Sequence, residues 1–133
     1  MNMRHTHTNP APTAVIADAF DDIRTLIHKN LQDALPGWKF IETSTAKETV
    51  EKCTTLQPDV VVAEASFPDG NGFEVVERIR VSVPHAQIYL VGAFDSGAIR
   101  RAAERTGCAA FINKGRIHEE LIPLLRERFP TDH

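Results

Sequence analysis

A carboxylate at the end of an apolar run is the feature of this chain that most suggests chemistry. Glu64 follows Val60-Val61-Val62-Ala63 and precedes a loop that contains Pro68, Gly70 and Gly72. A run so continuously apolar is typical of a central parallel strand that is covered on both faces. In open α/β sheets, ligands bind beyond the carboxyl ends of the strands. The sequence therefore indicates a functional carboxylate at Glu64.

Strand-like and helix-like segments alternate five times along the chain. Short apolar runs predict strands over 13–18, 38–43, 59–64, 87–91 and 109–113. Periodic apolar residues and capping signals predict helices over 21–35, 45–55, 73–81, 96–105 and 116–129. This alternation favours an α/β fold in which a parallel sheet carries helices on both faces.

Local signals support several of these helices. In the first helix, an apolar residue recurs every fourth position, at Ile23, Ile27, Leu31 and Leu35, as expected for one buried stripe. Thr45 and Glu48 have the spacing of a capping box at the start of the second helix. Gly107 predicts the end of the fourth helix, and Pro123 is expected to bend the fifth.

Composition predicts one soluble domain. The 133 residues include 42% apolar and 25% charged residues, and the net charge is −3. We expect a disordered arm over 1–12, a folded domain over 13–129 and a short tail over 130–133. Cys53 and Cys108 lack metal-ligand spacing and are expected to be thiols. No apolar run approaches the ~20 residues of a membrane span, and no signal peptide is recognisable, so the cytoplasm is the expected location.

The segment 13–129 resembles the receiver domains of bacterial response regulators. The resemblance is carried by 58–74 with its strand-end acid and proline-glycine loop, by the spacing of Asp18 to Arg24, and by Phe111-Ile112-Asn113-Lys114. It implies a flavodoxin-like, doubly wound fold with the five predicted strands in the order 2-1-3-4-5. It also implies a site above the first, third and fifth strands.

Some residues fit the receiver pattern. Asp18 matches the first of two acids after the first strand, and Lys114 matches the lysine after the fifth strand. Phe111 matches the aromatic residue of the signalling switch, where tyrosine is commoner. Ser66 falls where a backbone carbonyl would bind the metal. The resemblance therefore implies an acidic pocket built from Asp18, Glu64 and Ser66.

Three residues depart from the pattern. Glu64 stands in place of the phosphoacceptor aspartate, Ala19 in place of the second metal-binding acid, and Gly92 in place of a serine or threonine. The extra methylene of Glu64 misplaces the nucleophile, and an error of ~1 Å can cost on the order of a hundredfold in rate. The resemblance thus implies a degenerate receiver, not an enzyme, with no cofactor and at most weak magnesium binding.

Several interpretations stay open at this point. Glu64 could imitate the phosphorylated state in part, or be a structural carboxylate satisfied by loop amides and Lys114. Phosphorylation could use an unusual acceptor, Asp18 or Asp69. A small doubly wound enzyme or nucleotide-binding protein is a third alternative, but it requires a glycine-rich loop after the first strand, and 18–22 contains no glycine.

Partner binding is expected on the side of the fourth helix. In receivers, the face formed by helix four, strand five and helix five commonly binds another signalling protein or a second receiver. Arg100, Arg101 and Arg105 would make part of that face basic, although a merely solvated charged face is the alternative. No aromatic residues alternate with these arginines, so we expect no nucleic-acid binding. No membrane contact is expected either.

Overall fold

Parallel strands form the centre of the fold in the computed structural model, which describes residues 11–130. The strands are β1 Thr13–Ala17, β2 Lys39–Thr43, β3 Val60–Glu64, β4 Ser66–Phe67, β5 Gly70–Asn71, β6 Gln87–Gly92 and β7 Ala110–Asn113. Five of them pair in parallel in the order β2-β1-β3-β6-β7, and β4 and β5 form a separate antiparallel hairpin. The predicted order is confirmed, with β6 and β7 as the predicted fourth and fifth strands.

Helices cover both faces of this sheet. They are α1 Asp21–Ala34, α2 Ala46–Leu56, α3 Gly72–Ser82, α4 Gly97–Thr106 and α5 Ile122–Arg128, with a π-helical segment Ile117–Leu121 directly before α5. One core packs α1 and α5 against the sheet through residues such as Leu31 and Leu125. The other packs α2, α3 and α4 through residues such as Cys53, Ile79 and Ala103. The prediction of a three-layer, doubly wound α/β fold is confirmed.

Most helix signals act as the sequence predicts. On α1, Ile27, Leu31 and the following Leu35 are buried, and Ile23 is half-buried. The Thr45 hydroxyl accepts a hydrogen bond of 3.0 Å from the Glu48 amide, which is half of the predicted capping box. The Glu48 side chain instead accepts from the Ser44 amide.

The last helix departs from the prediction of one helix over 116–129. The chain first makes a wide π-helical turn, in which the Ile122 amide donates to the Ile117 carbonyl. Pro123 has no N–H group, so it cannot donate to the carbonyl four residues earlier. Widening of the preceding turn, rather than a simple bend, accommodates the proline in this chain.

Other expectations meet the structure only in part. Cys53 is buried, Cys108 is half-buried, and both are free thiols. The expected N-terminal arm and C-terminal tail lie almost entirely outside residues 11–130. Within that range, no helix has both the length and the apolar character that a membrane crossing requires.

Gly72 fixes the short distance between α3 and the end of β3. A Cβ atom at this position would lie 2.2 Å from the Glu64 carbonyl oxygen and 2.8 Å from the Cα atom of Ala65. The Gly72 amide also donates to the Ala65 carbonyl at 2.9 Å. Backbone therefore meets backbone here, and only glycine allows the helix to begin so close to the strand.

We predict that Gly72→Ala destabilises the domain, toward or beyond the upper end of the ~1–3 kcal/mol usual for overpacking. Neither of its backbone neighbours can rotate away from the added methyl group. Urea unfolding followed by circular dichroism measures the change. Gly115→Ala is the matched control, because its Cβ would meet only the Asn113 side chain, at 3.4 Å. Equal stability of both variants would contradict this account of the strand–helix contact.

Candidate functional site

The parallel register brings the ends of four strands to one edge of the sheet. Ala17 pairs with Ala63, so Asp18 and Glu64 follow on neighbouring strands. Gly92 ends β6 and pairs with Asn113, and its carbonyl accepts a hydrogen bond from the Lys114 amide at 2.9 Å. Asp18, Glu64, Gly92 and Lys114 therefore lie together at this edge, whereas Ser66 is exposed in the hairpin that follows.

The Glu64 carboxylate is directed into the protein. The residue is only 5% exposed, and its side chain accepts a short hydrogen bond from the backbone amide of Ala19. Ala19 begins the connection between β1 and α1, where the resemblance led us to expect a second acid. The longer carboxylate of Glu64 thus reaches across to the neighbouring strand end and is held there by the main chain.

Asp18 is more deeply buried and pairs with Lys114. It is 1% exposed, and its Oδ2 atom lies 3.1 Å from the Lys114 ammonium. That approach is not directed as a hydrogen bond, and within the described residues Oδ2 has no hydrogen-bond donor. Oδ1 accepts from the Phe20 amide at 2.9 Å. The lysine is therefore paired with Asp18, whereas the sequence alternative of a structural Glu64 carboxylate paired it with Glu64.

Arg24 holds the loop that carries Asp18. Its guanidinium donates to the Asp18 carbonyl at 2.9 Å, to the Glu42 carboxylate at 2.7 Å and to Asp21 at 2.8 Å. Glu42 also lies 2.6 Å from a ring nitrogen of His28. These contacts fasten the strand end to α1 and to the edge strand β2, a role that the sequence spacing did not disclose.

The proximity of Asp18 and the burial of the pocket both change the pKa of Glu64. Burial raises the pKa of the Glu64 carboxyl, and the neighbouring charge of Asp18 raises it further. The Ala19 amide and the Lys114 charge oppose this by stabilising the ionised form. The net effect is a pKa of Glu64 above its ordinary value.

The loop after β3 uses its acid for structure. Asp69 accepts hydrogen bonds from the amides of Ala46 and Lys47, at 2.8 and 3.1 Å, and thereby caps the start of α2. These two bonds hold the pKa of Asp69 below its ordinary value. No local pattern could have revealed this cap, because the acid lies more than twenty residues from the helix that it caps. Ser66 is exposed at the start of the hairpin.

Phe111 occupies the space beside Gly92. The phenylalanine is 5% exposed, and a Cβ atom at Gly92 would lie 2.7 Å from its Cζ atom. The ring therefore packs where a larger residue at position 92 would place its side chain. The small residue and the inward aromatic are complementary in shape.

The three arginines of α4 have different surroundings. Arg100 is half-buried and contacts Asp95, Phe111 and Glu120. Arg101 and Arg105 are exposed. Sequence reasoning missed Asp95 and Glu120, although an acid five residues before an arginine at a helix start is a usable signal. Of the predicted basic face, Arg101 and Arg105 present their charge to solvent most freely.

Comparison with known proteins supplies a family for this arrangement. Residues 14–126 match the family model described as the response regulator receiver domain. The response regulator UvrY of Escherichia coli K12 is 25% identical over 113 residues, which are 84% of this chain and 51% of UvrY. The chemotaxis protein CheY of Thermotoga maritima is 32% identical over 73 residues, which are 55% of this chain and 61% of CheY. The chain spans about half the length of UvrY.

Solved structures share the fold. The signal receiver domain of the response regulator NarL from Mycobacterium tuberculosis superposes with a TM-score of 0.81 at 20% identity, covering 90% of this chain and 97% of that one. The response regulator domain of Thermotoga maritima CheB gives 0.72 at 24% identity, covering 89% and 92%. The chain thus shares the fold of these domains at low sequence identity.

The raised pKa of Glu64 predicts a loss of stability as the pH rises. The folded chain keeps this proton to a higher pH than the unfolded chain, whose carboxyl has the ordinary pKa of 4.5. The free energy of unfolding therefore falls as the pH rises from that value through the folded pKa. Glu64→Gln cannot ionise and avoids this loss, so its melting temperature at about pH 8 should exceed that of the wild type; a gain of about 1 kcal/mol would raise it by about 4 °C in a domain of this size.

Thermal unfolding at a series of pH values from 4.5 upward measures the effect, because the folded chain releases this proton only above that ordinary value. Glu51→Gln, on the exposed side of α2, removes the same charge without entering the pocket and should follow the wild type. A wild-type chain that gains stability relative to Glu64→Gln across this range would show that the pKa of Glu64 is lowered.

Proposed function

The chain belongs to the family of response regulator receiver domains, which act in two-component signalling, and on that premise we propose that it is a degenerate receiver. Its state does not depend on phosphorylation, and it acts by binding another protein. The proposed role is recognition, not catalysis. The observation that carries this proposal is the position of the Glu64 carboxylate.

A phosphoacceptor must present a free carboxylate oxygen to an incoming phosphoryl donor. The Glu64 carboxylate is buried, accepts the Ala19 amide and adjoins the buried Asp18. Its raised pKa also reduces the fraction that is ionised and nucleophilic. Burial, an occupied oxygen and a raised pKa all oppose attack on a phosphoryl group.

The pocket also suits magnesium poorly. Mg²⁺ requires nearly octahedral oxygen ligands and keeps several of its waters. Ala19 supplies no side-chain oxygen, Oδ2 of Asp18 already faces the Lys114 ammonium, and Glu64 is bonded to an amide. Within residues 11–130 there is no group of three or more His, Cys, Asp or Glu side chains placed to hold a metal ion. We therefore propose magnesium binding that is weak at most.

Nothing in the geometry favours a substitute acceptor. Asp18 is 1% exposed and ion-paired. Asp69 is exposed, but both of its carboxylate oxygens accept helix amides. Partial imitation of the phosphorylated state by Glu64 gains little support either, because Lys114 pairs with Asp18 and Glu64 is directed toward Ala19. A fixed pocket, rather than an imitated phosphate, is the version that we propose.

Incubation with acetyl phosphate and magnesium tests this directly. We expect the intact mass of the wild-type chain to stay unchanged, because Glu64 is inaccessible and the metal ligands are incomplete. An ordinary phosphorylatable receiver, treated in parallel, must gain one phosphoryl group as the positive control. A stoichiometric gain of one phosphoryl group by this chain would overturn the proposal, and peptide mapping would then identify the acceptor.

Glu64→Asp separates the acceptor from its surroundings. The shorter side chain restores the usual acceptor, but Ala19 still provides no ligand and Gly92 no hydroxyl. We expect the single variant to remain unlabelled in the same mass measurement. Robust labelling would show that acceptor length alone blocks phosphorylation in this chain.

For partner binding we propose the exposed side of α4. Arg101 and Arg105 are exposed there, and Phe94, in the loop before α4, is 79% exposed. An exposed aromatic in the loop that leads into α4 and two exposed cations on α4 suit an acidic partner with an apolar anchor. The partner is either another signalling protein or a second copy of this chain.

Charge reversal on this face is expected to abolish partner binding without altering the fold. Affinity capture from the cells that produce the protein compares the wild type with Arg101→Glu/Arg105→Glu. We expect a partner that is retained equally with and without acetyl phosphate and is lost in the double variant. Lys29→Glu/Lys52→Glu, on the exposed sides of α1 and α2, is the matched control. Retention of the partner by the α4 variant would exclude this face, and sedimentation of the purified chain would reveal self-association.

A further inference from the structure

Arg100 links three elements beside the candidate site. Its guanidinium forms two parallel hydrogen bonds with the Asp95 carboxylate in the loop before α4, one of them 2.7 Å long. It donates to the Phe111 carbonyl on β7 at 3.0 Å and lies 3.6 Å from Glu120 in the π-helical segment. One side chain therefore connects the loop after β6, the end of β7 and the start of the last helix.

The same guanidinium covers the ring of Phe111. Its Cζ atom is 5.7 Å from the ring centroid, within the range of a cation–π contact. The tip of the same ring fills the space that Gly92 leaves. Phe111 is thus held through its backbone and ring by an arginine, and Gly92 makes room for the end of its side chain.

We propose that Arg100 is a positioning residue that keeps Phe111 seated against Gly92, so that the loop after β6 and the end of β7 have one arrangement with no bound group. The physical basis is the planar, five-donor fork of the guanidinium, which can satisfy Asp95 and the Phe111 carbonyl together. A lysine ammonium at this position has the charge but not the fork. A hydroxyl residue at position 92 would remove the space that the ring requires.

The neighbouring charges favour this grip. Asp95 and Glu120 both attract Arg100, and the hydrogen bonds from Arg100 hold the pKa of Asp95 below its ordinary value. Arg116 also pairs with Glu120, at 3.0 Å, and so competes for only one of the two acids. Arg116 does not take part in the contact of Arg100 with Asp95 and the Phe111 carbonyl.

This inference deepens the proposed function, since it names what fixes the state of a receiver that phosphate does not switch. The two can fail separately. A chain that takes up a phosphoryl group would end the proposed function but leave the Arg100 contact in place. If the Phe111 ring moves freely away from Gly92, the inference is wrong, but the phosphorylation result is unaffected.

NMR on the isotope-labelled chain of 133 residues tests the inference. In the wild type we expect nuclear Overhauser contacts between the Phe111 ring protons and the two Hα protons of Gly92. Arg100→Ala should lose these contacts and shift the ring resonances, and Arg100→Lys should restore them only in part. Gly92→Ala provides the reference spectrum of a displaced ring, because the added methyl group occupies its place.

Arg101→Ala is the matched control, since it removes an exposed arginine of the same helix and should leave the Phe111–Gly92 contacts intact. A folded Arg100→Ala chain that keeps those contacts and the wild-type ring shifts would overturn the inference. If circular dichroism shows that Arg100→Ala does not fold, Asp95→Asn decides, because it weakens the same grip from the other side. Unchanged contacts in Asp95→Asn would then count against the inference.

Discussion

Parallel pairing of β1 with β3 places two buried carboxylates side by side at one edge of the sheet. The other contacts of the site depend on that constraint. The backbone register fixes Asp18 beside Glu64 whatever their side chains prefer. Two buried acids so close together cannot both be ionised without strong compensation. Lys114 compensates Asp18 and the Ala19 amide serves Glu64, so each acid has a different partner.

Each departure from the receiver pattern is matched by a neighbouring contact. The extra methylene of Glu64 lets its carboxylate reach the backbone amide of Ala19. An acidic side chain at position 19, as in the receiver pattern, would place a second negative charge beside that carboxylate. The missing side chain at Gly92 leaves the space that Phe111 fills. Each replacement therefore fits the residue that it contacts. Such a set of compatible replacements favours one stable arrangement of the pocket.

The α4 side extends this arrangement to the surface. Arg100 is engaged within the protein, whereas Arg101, Arg105 and Phe94 remain available to a partner. A partner face built on a fixed loop needs no ordering before binding, which reduces the entropy that association costs. The proposed independence from phosphorylation is therefore compatible with tight recognition.

Much of the fold follows from local patterns that a reader of the sequence can use. Alternation of strand-like and helix-like segments predicts the parallel sheet, and the resemblance predicts the order of its strands. Single capping residues predict the start of α2 and the end of α4. The hairpin β4–β5 escaped prediction because two residue pairs leave no periodic signal. The π-helical turn escaped because a proline shows that a helix must adjust but not whether it bends, breaks or widens.

The sequence by itself determined which residues reach the pocket and which usual groups are missing from it, because strand ends and side-chain identities are local facts. Only the tertiary structure decided their partners: Lys114 with Asp18, Glu64 with the Ala19 amide, Asp69 with the start of α2, and Arg100 with Asp95 and Phe111. These pairings depend on distances between segments that are far apart in the chain. A sequence specifies such distances only through the packing of the whole domain, and within that packing a difference of one methylene decides which atom a carboxylate can reach.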